Sequence, residues 1–185
     1  MKNGNLYFLA IVPPAIICEE IITIQKDIAE RFQSSAAMKV IPHITLKAPF
    51  RLPAEEHKNV IHWFNQMIIN VAPFNLELKD FDAFKNPKQP VIYIKPVFSP
   101  ALFDLQKQIS DNFNTAFPDI PFKDTELEFK PHLTVAYRDL KPRFFEEVWQ
   151  EFQTKNYEAS FSVTGFWLMQ HNGQRWESIF SHDLK

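Results

Sequence analysis

The chain has 185 residues, 45% of them hydrophobic and 23% charged, with a formal net charge of −2. That length suits one domain or two small packed lobes, and the composition excludes disorder, collagen-like repeats and coiled coil. Three glycines (Gly4, Gly165 and Gly173) are too few for a glycine-rich phosphate loop, and the single Cys18 can form neither an intrachain disulfide nor a paired-thiolate zinc site.

Leu6 to Val12 is a compact apolar stretch that reads as a buried strand, ended by Pro13-Pro14. The same prolines interrupt what would otherwise imitate a signal peptide, and Ile17 stands where cleavage would want a small residue, so a cytoplasmic chain is expected. Glu19 to Phe32 has helical apolar spacing, and Lys39 to Leu46 reads as a second strand. Pro53-Ala-Glu-Glu opens a helix running to about Asn70. Phe74 to Phe84 alternates as a half-buried strand, and Val91 to Lys95 repeats the type. A helix follows from about Pro100 to Phe117, then a loop rich in Pro and Asp and a strand from Glu128 to Tyr137. Pro142 to Phe152 is a further helix. Ala159 to Met169 and Trp176 to Phe180 form a closing hairpin around Asn172-Gly173. Strand-helix-strand occurs in both halves, no linker divides them, and no run is long enough to span a membrane as a helix. The expectation is one two-lobed unit over residues 1–185.

The repeat becomes concrete in Pro42-His43-Ile44-Thr45-Leu46 and Pro131-His132-Leu133-Thr134-Val135, whose histidines lie 89 positions apart. Such a pentapeptide arises by chance on the order of 10⁻⁶ per position, so two copies are not composition noise. In a strand the side chains alternate, so His43 projects with Thr45, and His132 with Thr134, while the aliphatic residues anchor the strand behind them. If the lobes face each other, two imidazoles and two hydroxyls surround one small volume. Two histidines suit acid and base work near neutral pH, and two hydroxyls suit donation to phosphoryl oxygens, the set that phosphodiester cleavage needs. The motif segments are locally basic, with Lys39, Lys47 and Arg51 near the first and Lys85, Lys88 and Lys95 upstream of the second. Strand parity puts Lys47 with His43 and Thr45, and Arg138 with His132 and Thr134, as candidate phosphate clamps. Phe50, Tyr93, Tyr137 and Trp167 are candidates for stacking a base. His57, His62, His171 and His182 fit solvated or capping roles.

These residues resemble the two-histidine phosphoesterase superfamily, which carries two H-x-T/S-φ motifs and includes 2′-5′ RNA ligase-like proteins and cyclic phosphodiesterases. The resemblance runs through Tyr7-Phe-Leu-Ala-Ile-Val-Pro, Pro42-His-Ile-Thr-Leu-Lys-Ala-Pro-Phe and Lys130-Pro-His-Leu-Thr-Val-Ala. It implies an α+β fold of two pseudo-symmetric lobes, each an antiparallel sheet flanked by helices, with a central cleft. It also implies action without metal or cofactor on cyclic or 2′-5′ phosphodiesters of RNA ends or small nucleotides, with His43, Thr45, His132 and Thr134 at the catalytic positions. RNA ligase-like members often have arginine directly after the alanine of the second motif. Here Tyr137 holds that place and Arg138 follows it, a one-residue offset that reverses parity. Two other readings stand beside this one: a non-catalytic RNA-end or nucleotide-phosphate binding module, and a metal-dependent hydrolase. No obligate protein partner or membrane contact is indicated.

Overall fold

The computed structural model describes residues 4–121, 126 and 128–185. Strand β1 (Asn5–Ile11) leads into helix α1 (Ala15–Phe32), a 3-10 turn (Ala36–Lys39) and strand β2 (Ile44–Leu52). Another 3-10 turn (Ala54–Glu56) precedes α2 (His57–Gln66), β3 (Phe74–Phe84), β4 (Val91–Pro96) and α3 (Pro100–Ala116). Then come β5 (Leu133–Ala136), α4 (Pro142–Phe152), β6 (Glu158–Val163), β7 (Gly165–His171) and β8 (Trp176–Asp183). The expected Pro- and Asp-rich loop falls partly on residues 122–125 and 127, outside the described residues. No helix among the described residues is long and apolar enough to cross a membrane.

All strand pairs are antiparallel, in the order β6-β3-β4-β5-β2-β1-β7-β8. The sheet is two four-stranded halves that meet where the motif strands touch, at the single pair Ile44 and Leu133. This is the expected α+β architecture of two like lobes. The helices exchange partners: α1 leaves β1 but packs on β5 of the other half, and α3 leaves β4 but packs on β2. One apolar cluster therefore draws Ile21 and Ile28 from α1, Ile44 and Leu46 from β2, Leu105 and Ile109 from α3, and Leu133 and Val135 from β5.

Three of the boundaries that differ from the sequence reading bear on the site. The first motif strand begins at Ile44 rather than Lys39, because residues 36–39 turn as a 3-10 helix whose Ala36 N–H donates to the Asp139 carboxylate at 2.9 Å. The second motif strand is only Leu133–Ala136, since Arg138 takes a left-handed φ of 58° and ends it. Ala159 to Met169 is two strands, not one. The chain breaks at Thr164 and passes from the β3 edge of one half to β1 of the other, where Gly165 meets β8 so closely that a Cβ would stand 2.5 Å from the His182 carbonyl oxygen.

Candidate active site

The pairing of Ile44 with Leu133 sits at the middle of both motifs. Antiparallel pairing centred there sets His43 opposite Thr134 and Thr45 opposite His132, each catalytic-type pair mirrored by the other. Ile44 and Leu133 are fully buried on the core side, so His43, Thr45, His132 and Thr134 share the opposite face. All four line one cavity of about 220 Å³, together with Phe8, Gln25, Pro49, Val91, Tyr137, Arg138 and Trp176.

Both imidazoles are held by the same local device. Nδ1 of His43 lies 2.8 Å from the carbonyl oxygen of Ile41, and Nδ1 of His132 lies 2.8 Å from that of Lys130. A carbonyl only accepts, so Nδ1 carries the proton and Nε2 keeps its lone pair. The intervening Pro42 and Pro131 hold the preceding residue extended, which keeps that carbonyl where the ring can reach it. Aromatic rings from the neighbouring strands brace each histidine. Phe8 of β1 tilts against His43 at 4.9 Å between centroids, and Phe84 and Tyr93 meet His132 edge-on at 5.1 and 5.6 Å.

Burial pushes the His43 pKa down from 6.5 to about 4, opposed by the Ile41 hydrogen bond and assisted by repulsion from His132. Burial also lowers His132, against the Lys130 hydrogen bond. Both rings are therefore neutral at pH 7, each presenting the Nε2 lone pair. Tyr93 is pushed up to about 12, first by burial and then by Asp82, and stays a neutral phenol beneath His132. The Thr45 and Thr134 hydroxyls are half-buried and engage no hydrogen-bond partner among the described residues.

Tyr137 and Arg138 line the cavity despite the offset. Asp139 N–H donates to the Tyr137 carbonyl at 2.7 Å across Arg138, a tight γ-turn with a positive central φ, so strand alternation no longer governs where Arg138 points. Asp139 is itself tied down: its carboxylate accepts from the Ser34 hydroxyl and from the Ser35 and Ala36 N–H groups, each at 2.9 Å. The Arg138 guanidinium stands over the Tyr137 ring at 5.1 Å. It has no carboxylate within ion-pair distance among the described residues.

Lys47 and Phe50 are elsewhere, which corrects their assignment as substrate contacts. The β1–β2 register slips twice, so that Thr45 faces Ala10 but Lys47 faces Leu9, a core position, and Phe50 faces Tyr7, another. Pro49 cannot donate to the ladder, and the bulged strand rotates Lys47 inward. There Lys47 is 2% exposed, pairs with Glu126 and lies over the Phe113 ring at 4.3 Å. Glu126 also accepts the Ala48 N–H at 3.1 Å. Phe50 packs on Phe113 at 4.6 Å. Of the other proposed stacking rings, Tyr93 supports His132 rather than forming the cavity wall, and Trp167 does not line the cavity. The sequence reading missed Phe8, Gln25, Trp176 and Asp139. For Phe8, alternation with buried Leu9 was an available signal.

Three comparisons bear on this constellation. Residues 13–175 match the profile of the 2′-5′ RNA ligase superfamily. Among curated relatives, a Bacillus cytotoxicus protein named "Putative phosphoesterase" is 33% identical over 99 residues, 54% of this chain and 53% of that one. A protein of the same name from Geobacillus kaustophilus is 26% identical over 88% of this chain and 86% of its own. Among solved structures, E. coli LigT complexed with 3′-AMP superposes with a TM-score of 0.70 at 21% identity over 99% of both chains. A Thermus thermophilus protein, TT0787, gives 0.67 at 18% identity over 97% of both. With the doubled motif on paired strands and the match extending over most of its length, the chain belongs to the 2′-5′ RNA ligase superfamily.

Proposed function

We propose that the protein is a metal-independent phosphoesterase that opens a 2′,3′-cyclic, 1″,2″-cyclic or 2′-5′ phosphodiester of an RNA end or small nucleotide. The observation that carries the reading is that two Nε2 atoms and two uncommitted threonine hydroxyls line a single cavity whose volume suits a phosphate and part of a nucleoside. One histidine removes a proton from water while the other, protonated, donates to the departing ribose oxygen. With the 5′-hydroxyl of a second strand as nucleophile in place of water the same step is 2′-5′ ligation, and its reversal, attack of the ribose 3′-hydroxyl on the 2′-5′ bond, exchanges the roles of the two histidines. Thr45 and Thr134 donate to the non-bridging oxygens, and the Arg138 guanidinium offsets the charge that develops on phosphorus. Complexes of LigT with 3′-AMP and with phosphate support a nucleotide or RNA terminus as the ligand class.

The acid in this scheme arises on binding. The drop of the His43 pKa from 6.5 to about 4 corresponds to about 3 kcal/mol against its imidazolium. A phosphate anion about 4 Å away returns roughly 4 kcal/mol at an effective dielectric of 20, enough to restore the imidazolium. The same neutrality would suit a binder that never turns over, and kinetics separate the two. The test is a panel of 2′,3′-cyclic mononucleotides, ADP-ribose cyclic phosphate and 2′-5′ dinucleotides in excess EDTA, with phosphorus NMR to identify the bond broken. Turnover that persists under chelation and falls at least ~10²-fold in His43→Ala supports the reading. Binding without product over hours favours the non-catalytic module, and loss of rate on chelation favours a metal-dependent hydrolase.

A further inference from the structure

The catalytic-type cavity does not end at its own walls. A second cavity, of about 410 Å³, adjoins it and shares Gln25, Val40, Ile41 and Trp176 as lining. Its remaining walls come from α1 (Ile22), the 3-10 turn (Met38, Lys39) and the β7–β8 hairpin (Met169, Arg175, Glu177, Ser178). Two of these surfaces are unusual for a solvent-facing edge. Ile41 and Met38 are large apolar side chains left 43% and 42% exposed. Trp176 is braced edge-on by Phe8 at 4.6 Å and by His171 at 5.1 Å, an aromatic wall fixed in place.

Gln25 stands between the two cavities. It is 2% exposed, its Nε2 donates to the Thr134 carbonyl at 3.0 Å, and its Oε1 is buried with no hydrogen-bond partner among the described residues. A buried acceptor left without a donor is costly, and a ligand hydroxyl or amine reaching it would recover that cost. Charge on the outer rim favours an anion. Lys39 is exposed and has no ion-pair partner among the described residues, while Arg175 is paired only through Nε with Glu177, at 3.1 Å in an exposed setting where such pairs contribute little. Glu177 is the one carboxylate in the lining, and Asn172 also donates to it, at 2.8 Å.

We infer that this second cavity is a subsite for the nucleotide next to the reacting one, so that the protein prefers an oligonucleotide end to a cyclic mononucleotide. The inference rests on the proposed function and adds where the rest of the chain lies. The adjacent nucleoside packs on Trp176, Ile41 and Met38, one of its donors meets Gln25 Oε1, and the internucleotide phosphate sits toward Lys39 and Arg175. Stacking is indifferent to base identity, so the subsite selects for length more than sequence.

The experiment compares kcat/KM for uridine 2′,3′-cyclic phosphate with that for a dinucleotide ending in the same cyclic phosphate, in three proteins. These are the unsubstituted chain, Lys39→Ala/Arg175→Ala and Met38→Trp, the last filling the cavity without touching the histidine cleft. The expected result is a dinucleotide advantage of roughly tenfold or more that collapses toward unity in both variants while the mononucleotide rate is unchanged. Equal rates on the two substrates in the unsubstituted chain, or an advantage that survives both variants, overturns the inference. A binding arm uses the corresponding products, uridine 2′-phosphate and the dinucleotide ending in a 2′-phosphate, by calorimetry. A length-dependent affinity lost in both variants supports the subsite even if neither cyclic ester is turned over, in which case only the hydrolytic reading falls. Length-independent affinity overturns the subsite alone.

Discussion

An anion in the cleft should change the charge of a histidine, and the effect can be separated from catalysis. Sulfate is a suitable perturbation because it is tetrahedral, dianionic and does not titrate between pH 4 and 8. In the free protein, burial holds His43 down at about 4 and His132 below its ordinary value. The attraction of about 4 kcal/mol for an anion roughly 4 Å from an imidazolium exceeds the roughly 3 kcal/mol that keeps His43 neutral. Saturating sulfate should therefore carry at least one of the two midpoints upward, back toward 6.5. Long-range nitrogen-proton NMR of the imidazoles reads this directly. In the free protein it should also report the Nδ1–H tautomer for both rings, as the contacts with Ile41 and Lys130 require. Midpoints unmoved by sulfate, or an Nε2–H tautomer, would refute the reasoning that substrate phosphate creates its own general acid.

Other consequences are as direct. Between pH 6.5 and about 4 the unfolded chain protonates His43 while the folded one does not, so stability is lost as the pH is lowered through that window, by up to about 3 kcal/mol; urea unfolding should show the slope, reduced in His43→Gln. Thr45→Val and Thr134→Val each remove one donor from the transition state and should lower kcat by roughly 10²-fold with little change in Tm. Asp139→Ala frees the turn that carries Arg138, and its kcat/KM should fall as in Arg138→Ala, with the double variant no worse than either single one; rescue by Asp139→Asn, which keeps one acceptor, should be partial. Lys47→Ala should unfold in less urea, by about 3 kcal/mol or more, because Glu126 loses a buried cation, while KM for any substrate that is turned over stays unchanged.

What the sequence disclosed was local, and what it hid depended on partners far along the chain. His43 and Thr45, or His132 and Thr134, share a face because neighbouring residues in a strand alternate, and Ile44 and Leu133 mark the buried side. Strand alternation failed for Lys47 because it assumes an unbroken ladder. The slip that turns Lys47 inward is set by pairing with β1, some 40 residues earlier, and by Glu126, about 80 residues later. For Arg138 alternation named the right cavity, although the strand it assumed ends at Ala136. The one-residue shift in sequence is compensated by a left-handed turn, and that turn is anchored by Asp139 to Ser34, Ser35 and Ala36, about a hundred residues upstream. Gln25 carried no signal either: an amide on an amphipathic helix looks like any other until the helix crosses to the opposite half of the sheet and meets Thr134. The exchange of α1 and α3 between halves was equally invisible, because both helices have ordinary apolar faces and nothing in their spacing says which strand they cover.

The central claim is that both motifs act on one phosphate. Its most direct test is a crystal structure with a nucleoside 2′-phosphate bound. The account predicts phosphate oxygens within about 3 Å of Nε2 of both His43 and His132 and of the Thr45 and Thr134 hydroxyls. A phosphate held by one motif alone, or bound outside the cleft with the imidazoles unengaged, would contradict it.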